Sequence, residues 1–157
     1  MMTTFRATAL GLLSAALVAC ATQPATDASE LARVVATNEA FDAALSRRDI
    51  AAIDVAWAHD GTVTAVHPAS KAPAVGWEAV HKSWEGAFAN FPELSVALSD
   101  PQVRISGSSA FVVGVETIRG RRPSGEQVEF FALTTNVYEK RGDRWLMVHH
   151  QASRSPQ

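Results

Sequence analysis

The chain has 157 residues, 47% of them hydrophobic and 19% charged, with a formal net charge of −2 and a single cysteine. A balance this close to neutral argues against a nucleic-acid binder or an electrostatic membrane patch, and one cysteine excludes an intramolecular disulfide. The length suits one domain with its own core.

The chain opens on an export signal. Arg6 is the only charge before Asp27, and the apolar run Ala7–Ala19 has 13 residues, where a membrane-spanning helix needs about 20. A basic start, a short apolar middle and small residues at the end describe a secretory signal. Leu17-Val18-Ala19-Cys20 resembles the bacterial lipobox, in which the cysteine thiol receives a diacylglyceryl group and the signal is cut just before it. The resemblance implies a signal over residues 1–19, lipidation at Cys20 and an exported, lipid-anchored envelope protein. Ala21 in place of Asp implies the outer membrane, facing the periplasm. The alternative is an ordinary signal cut after Ala21. An unpaired thiol is unusual in an oxidising compartment, and lipidation consumes it. Several acyl chains, at about 0.8 kcal/mol per buried CH₂, make such an anchor effectively permanent. Losing Arg6 with the signal takes the net charge from −2 to −3.

Residues 20–28 read as the lipidated cysteine and a flexible tether, with a domain over residues 29–157. Asp27-Ala28-Ser29-Glu30 has capping-box spacing, which starts a first helix near Asp27. Leu31, Val34, Val35, Asn38, Phe41 and Leu45 share one helical face. Asp49 can cap a short second helix carrying Ile50, Ile53 and Trp57. Thr62–His67 alternates and reads as a strand that Pro68 ends. A third helix is expected from Gly76 to Asn90, with Trp77, Val80, Trp84 and Phe88 on one face and Pro92 beyond its end.

From Leu94 the pattern becomes β. Four long strands are expected over 94–106, 109–120, 126–140 and 144–153, joined by short turns into an antiparallel meander. Arg141-Gly142-Asp143 spells an adhesion tripeptide but sits where a tight hairpin turn is needed, and Gly-Asp is ordinary turn chemistry. Helices followed by strands give an α+β fold, with three N-terminal helices packed on one face of a curved, mostly antiparallel sheet.

Three stretches carry a family resemblance. They are Asn38–Leu45 with Asp49-Ile50 and Trp57–Val63; Gly76-Trp77-Glu78-Ala79-Val80; and Thr135–Lys140 leading into Gly142–Ser153, whose ending reads Trp145-Leu146-Met147-Val148-His149-His150-Gln151-Ala152-Ser153. Together they resemble the SnoaL-like group of the nuclear-transport-factor-2-like superfamily, over about Glu30–Ser153. The resemblance implies a cone-shaped α+β roll with a cavity between helices and sheet, and an outer sheet face that often forms a homodimer. It does not imply one function, because the superfamily mixes enzymes, binding proteins and adaptors.

Phe41, Trp57, Trp77, Trp84 and Phe88 are candidate cavity walls for a small apolar ligand, or plain core. Ketosteroid isomerase, in the same superfamily, uses an Asp base before a Pro, a Tyr on its first helix and a protonated Asp on a later strand. Laid on this sequence, the base falls on His67 before Pro68, the Tyr on Phe41 and the second Asp on Asn136. Phe41 has no hydroxyl to offer an enolate. His67 can act as a base near neutral pH, with Asn136 or a C-terminal histidine as polariser. His149 and His150 point to opposite sheet faces. By alternation His150 groups with Leu146, Val148 and Ala152, and His149 with Trp145, Met147 and Gln151. Either can face the cavity, and the apolar neighbours of His150 favour it.

Glu116 is either a pocket acid or an edge residue facing water. His59 reads as a turn residue and His81 as a helix-surface one. The five histidines lack metal-ligand spacing, and no phosphate loop, Gly-x-Ser-x-Gly elbow or cysteine nucleophile marks the domain, so neither metal nor cofactor is implied. The functional readings are a cavity that binds a small apolar molecule, an isomerase, cyclase or hydratase with His67 as general base, and a dimeric interaction module.

Overall fold

The computed structural model describes residues 24–155, and side chains from Ala28 onward. The export signal, Cys20 and the start of the tether lie outside the described residues. Three helices and six strands follow: α1 (Pro24–Arg47), α2 (Ile50–Ala56), β1 (Thr64–Val66), β2 (Ala74–Val75), α3 (Trp77–Asn90), β3 (Glu93–Ser106), β4 (Ser109–Arg121), β5 (Gln127–Arg141) and β6 (Arg144–Arg154). Helix α1 starts three residues before the expected capping box, at a proline, which the first turn tolerates because its N–H has no helical partner there. Asp49 caps α2 as its position suggests, accepting from the Ala52 N–H at 3.0 Å. No helix among the described residues is long and apolar enough to cross a membrane.

The strands form one sheet in the order β2-β1-β6-β5-β4-β3. The antiparallel meander β3–β6 is as expected. Short β1 is the exception: it runs parallel to β6, with Thr64 opposite His149 and Ala65 opposite His150. The helices cover one face and bury Val34, Phe41, Leu45, Ile53, Val80, Trp84 and Phe88 against it. Within α1 and α3 these residues lie four or seven apart, the spacing of one helical face. The result is a cone-shaped α+β roll.

Two irregularities bend the sheet. Asp100 has φ 49° and sits in a register shift between Ser99 and Gln102. Nearby, a Cβ on Gly114 would lie 2.8 Å from Leu98 Cδ1 and 2.9 Å from the Ser99 carbonyl oxygen, so only glycine lets β3 lie this close to β4. The second irregularity lies on β6. Val137 faces His149 while Tyr138 faces Met147, leaving Val148 as an extra residue. A bulge of this kind reverses the alternation beyond it. Trp145 and Met147 are buried before it, His150 and Ala152 after it. The expected grouping of His150 with Leu146 and Val148 is therefore corrected: His150 shares its face with Trp145 and Met147.

Candidate functional site

A cavity of 490 Å³ opens between α3, the sheet and the loop after β1. Its walls include Trp84, Phe88 and Phe130, and its polar lining includes His67, Ser83, Glu116 and His150. Apolar walls with few polar groups are the usual make-up of a small-molecule site. His67 sits one residue beyond β1, and Ser83 and Trp84 are on α3. Glu116 projects from β4 and His150 from β6, just past the bulge.

His150 is 2% exposed and ends a buried polar chain. Asn38 on α1 donates from Nδ2 to Asp42 Oδ2 at 3.0 Å and accepts at Oδ1 from Asn136 Nδ2 at 2.8 Å and from the Tyr138 hydroxyl at 2.9 Å. Asn136 then has only Oδ1 left to face His150 Nδ1, 2.8 Å away. An amide oxygen accepts, so His150 Nδ1 carries the proton and Nε2 keeps the lone pair. His67 is fixed by similar reasoning. The Ser83 hydroxyl donates to the Val80 carbonyl at 2.6 Å and so accepts from His67 Nε2 at 2.9 Å. That leaves the lone pair on His67 Nδ1. The two imidazole rings are 6.0 Å apart, and both contact the Trp84 ring, at 4.3 and 5.1 Å.

Burial decides the charges. Desolvation pulls His67 down to about 4 and His150 well below its ordinary value, the latter aided by the neighbouring histidines. Both rings are neutral near pH 7. The carboxyls move the other way. Burial pushes Glu116 up to about 7, opposed by the Thr134 hydroxyl, whose contact falls outside hydrogen-bond geometry. Burial, then the charges of Glu116 and Glu39, push Asp42 up to about 8. One oxygen of each carboxyl is buried with no hydrogen-bond partner among the described residues. The cavity thus presents two neutral imidazoles and a carboxyl that holds its proton up to about neutral pH, the components of general acid–base chemistry.

Of the candidate site residues read from sequence that the structure describes, His67, Glu116, His150, Trp84 and Phe88 line this cavity, while Phe41, Asn136, Trp57, Trp77 and His149 do not. Phe41 is core, edge-on to Trp84 and 5.7 Å from His150. Asn136 is fully buried behind His150, with both amide atoms already engaged. Trp57 packs against Trp77 at the far end of the helical layer, where Trp77 also stacks on His59 at 4.1 Å. His149 bonds Thr64 Oγ1 across the β1–β6 pairing at 2.6 Å. His81 is half-buried and bridges Asp54 at 3.2 Å. Among the described residues, no three His, Cys, Asp or Glu are grouped to hold a metal.

Glu116 is the pocket acid, not the water-facing residue. It shares parity with buried Ala110, Val112 and Ile118, but Phe111, Val113 and Val115 on the other face are just as apolar, so alternation alone could not orient it. Asn38 was visible on the inner helical face, and its bonds to two residues of β5 were not.

The profile of the SnoaL-like domain family matches residues 34–156. No functionally curated protein matches the sequence significantly. Among solved structures, a nuclear-transport-factor-2-like family protein from Streptomyces avermitilis, provisionally named a dehydratase, is 27% identical with TM-score 0.74, covering 86% of this chain and 100% of its own. A Xanthomonas campestris protein, provisionally named a calcium/calmodulin-dependent protein kinase II association domain, is 25% identical with TM-score 0.69, covering 79% and 86%. A nuclear-transport-factor-2-like superfamily protein from Salmonella enterica serovar Typhimurium shares the fold at 14% identity, with TM-score 0.76 and coverage of 83% and 94%. The chain belongs to the SnoaL-like domain family of the nuclear-transport-factor-2-like superfamily.

Proposed function

We propose that the cavity binds a small, largely apolar molecule and transfers a proton on it, as an isomerase or dehydratase does, with His67 as base and Glu116 as acid. The observation that carries this reading is the meeting of two neutral histidines and a protonated carboxyl on one apolar cavity. In a dehydration, His67 Nδ1 takes a proton from carbon and the C–H electron pair becomes the new double bond. Glu116 gives its proton to the departing hydroxyl, which leaves as water. His150 Nε2 accepts a hydrogen bond from the substrate, and Asn136, one step back, orients the ring. The dehydratase name carried by the Streptomyces avermitilis relative favours the same reaction class.

Binding without turnover is the second reading. It draws on Phe41, which has no hydroxyl, and on Asn136, whose amide is already spent. A probe of base strength in an apolar site, 5-nitrobenzisoxazole, separates the two. Loss of its ring C–H proton breaks the N–O bond and releases a coloured phenol. Turnover that falls by about 100-fold in a folded His67→Asn variant supports catalysis. Equal rates in both proteins, or none above buffer, leave binding alone.

We propose further that two copies pair through the outer sheet face. Phe111, Val113 and Val115 on β4 and Phe131 and Leu133 on β5 are each more than a third exposed and lie side by side. Exposed apolar patches of this kind mark association surfaces. Cys20 and its lipid, on the lipobox reading, would hold the domain at the outer membrane, facing the periplasm.

A further inference from the structure

The mouth of the cavity is cationic. Arg122, one residue past β4, places its guanidinium 5.6 Å from the Phe91 ring centroid. Arg154, the last residue of β6, lies 4.9 Å from the Phe130 ring centroid. All four residues line the cavity, and both arginines are exposed while the two rings are half-buried. Arg122 shares its charge with Glu126 at 3.2 Å, an exposed pair worth little. Arg154 has no ion-pair partner among the described residues.

We infer that the cavity selects an anionic amphiphile, whose charged head docks between Arg122 and Arg154 and whose apolar body runs inward toward Trp84, His67 and His150. The inference rests on the cavity being the ligand site and adds the class of ligand. An anion is disfavoured deeper in, because burying a charge without a partner is costly and the inner histidines are neutral. At the mouth the guanidiniums remain hydrated and their aromatic shelves hold them in place, so an anion meets two preorganised forks at little desolvation cost. A head fixed there also sets which carbon of the body reaches the histidines, so the arginines act as positioning residues for the proposed proton transfer.

The test uses three probes with one ten-carbon chain, each below its micelle concentration: decanoate, 1-decanol and decyltrimethylammonium, titrated by calorimetry into the lipid-free domain. Decanoate is expected to bind at least about tenfold more tightly than decanol, and the cation more weakly than either, with the preference shrinking as salt is added. Arg154→Met, which keeps the packing on Phe130, should remove most of that preference, whereas Arg154→Lys should retain part of it. Decanol binding as tightly as decanoate, or an unchanged preference in the Arg122→Met/Arg154→Met double variant, overturns the head-group inference and leaves the cavity as a ligand site. Failure of all three probes to bind the folded protein overturns both.

Discussion

His150 Nδ1 donates to Asn136 Oδ1 at 2.8 Å, between residues paired directly across β5 and β6. That bond, with the one from Asn136 Nδ2 to Asn38 Oδ1 at 2.8 Å, ties a cavity-lining ring to helix α1. Replacing Asn136 by Leu strands the His150 N–H in a dry interior and removes one of the two donors to Asn38 Oδ1, leaving the Tyr138 hydroxyl. The expected loss is about 2 kcal/mol or more of stability, read from urea unfolding midpoints at pH 7. A change below about 0.5 kcal/mol would mean that water or another group already satisfies the network.

Stability should also pass through an optimum in pH. In the fold Asp42 and Glu116 keep their protons up to about 8 and about 7, while the unfolded chain releases them near about 4. Their contribution is therefore lost as pH rises through that window. His67 works in the opposite sense. The unfolded chain binds its proton below about 6.5, and the fold excludes it down to about 4, so stability is lost as pH falls. His150 adds to the same slope. The two slopes oppose each other between about pH 4.5 and 6.5, and above that the carboxyls act alone. Stability should decline by about 2 kcal/mol between pH 6.5 and 8.5. In the Asp42→Asn/Glu116→Gln double variant, urea melts at the two pH values should nearly coincide. An equal decline in that variant would place the alkaline loss elsewhere.

Charging the outer sheet face should separate the proposed dimer. Leu133 is 55% exposed and Phe131 38%, so Phe131→Glu/Leu133→Glu removes no core contact. Sedimentation equilibrium should show a dimer for the parent and a monomer for the variant, with thermal stability of the subunit itself little changed. A parent that sediments as a monomer at about 100 μM would rule out this face as a stable interface.

Expression of the full chain in a bacterial host should give a membrane-bound protein whose N-terminal peptide carries diacylglyceryl and further acyl mass on Cys20. Cys20→Ala should prevent lipid attachment and remove the protein from the membrane fraction. An unmodified N-terminus at Thr22 in the parent would instead support the ordinary signal cut after Ala21.

The fold was largely legible because its signals are local. Asp49 caps α2, Val80, Trp84 and Phe88 recur at helical spacing, and Gly142, at φ 62°, sits in the turn the sequence marks. The parallel pairing of β1 with β6 was not legible, since 85 positions separate Thr64 from His149 and no local pattern records such contacts. The orientation of His150 was anticipated, but from a grouping that the Val148 bulge reverses. A single extra residue changes the face of every side chain beyond it without altering composition or period enough to show. Half the site was hidden for a related reason. Both faces of β4 are apolar, so Glu116 could not be oriented, and the link from Asp42 through Asn38 to Asn136 exists only once α1 lies across β5.

The most direct measurement is the pH profile of kcat/KM for elimination of 5-nitrobenzisoxazole in the parent and in Glu116→Gln. With His67 as base and Glu116 as acid, the rate should rise through about 4, hold a plateau, and fall through about 7. Glu116→Gln should lower the plateau by about 100-fold and abolish the alkaline limb. A rate that climbs steadily with pH in both proteins, as hydroxide alone would give, would contradict the account.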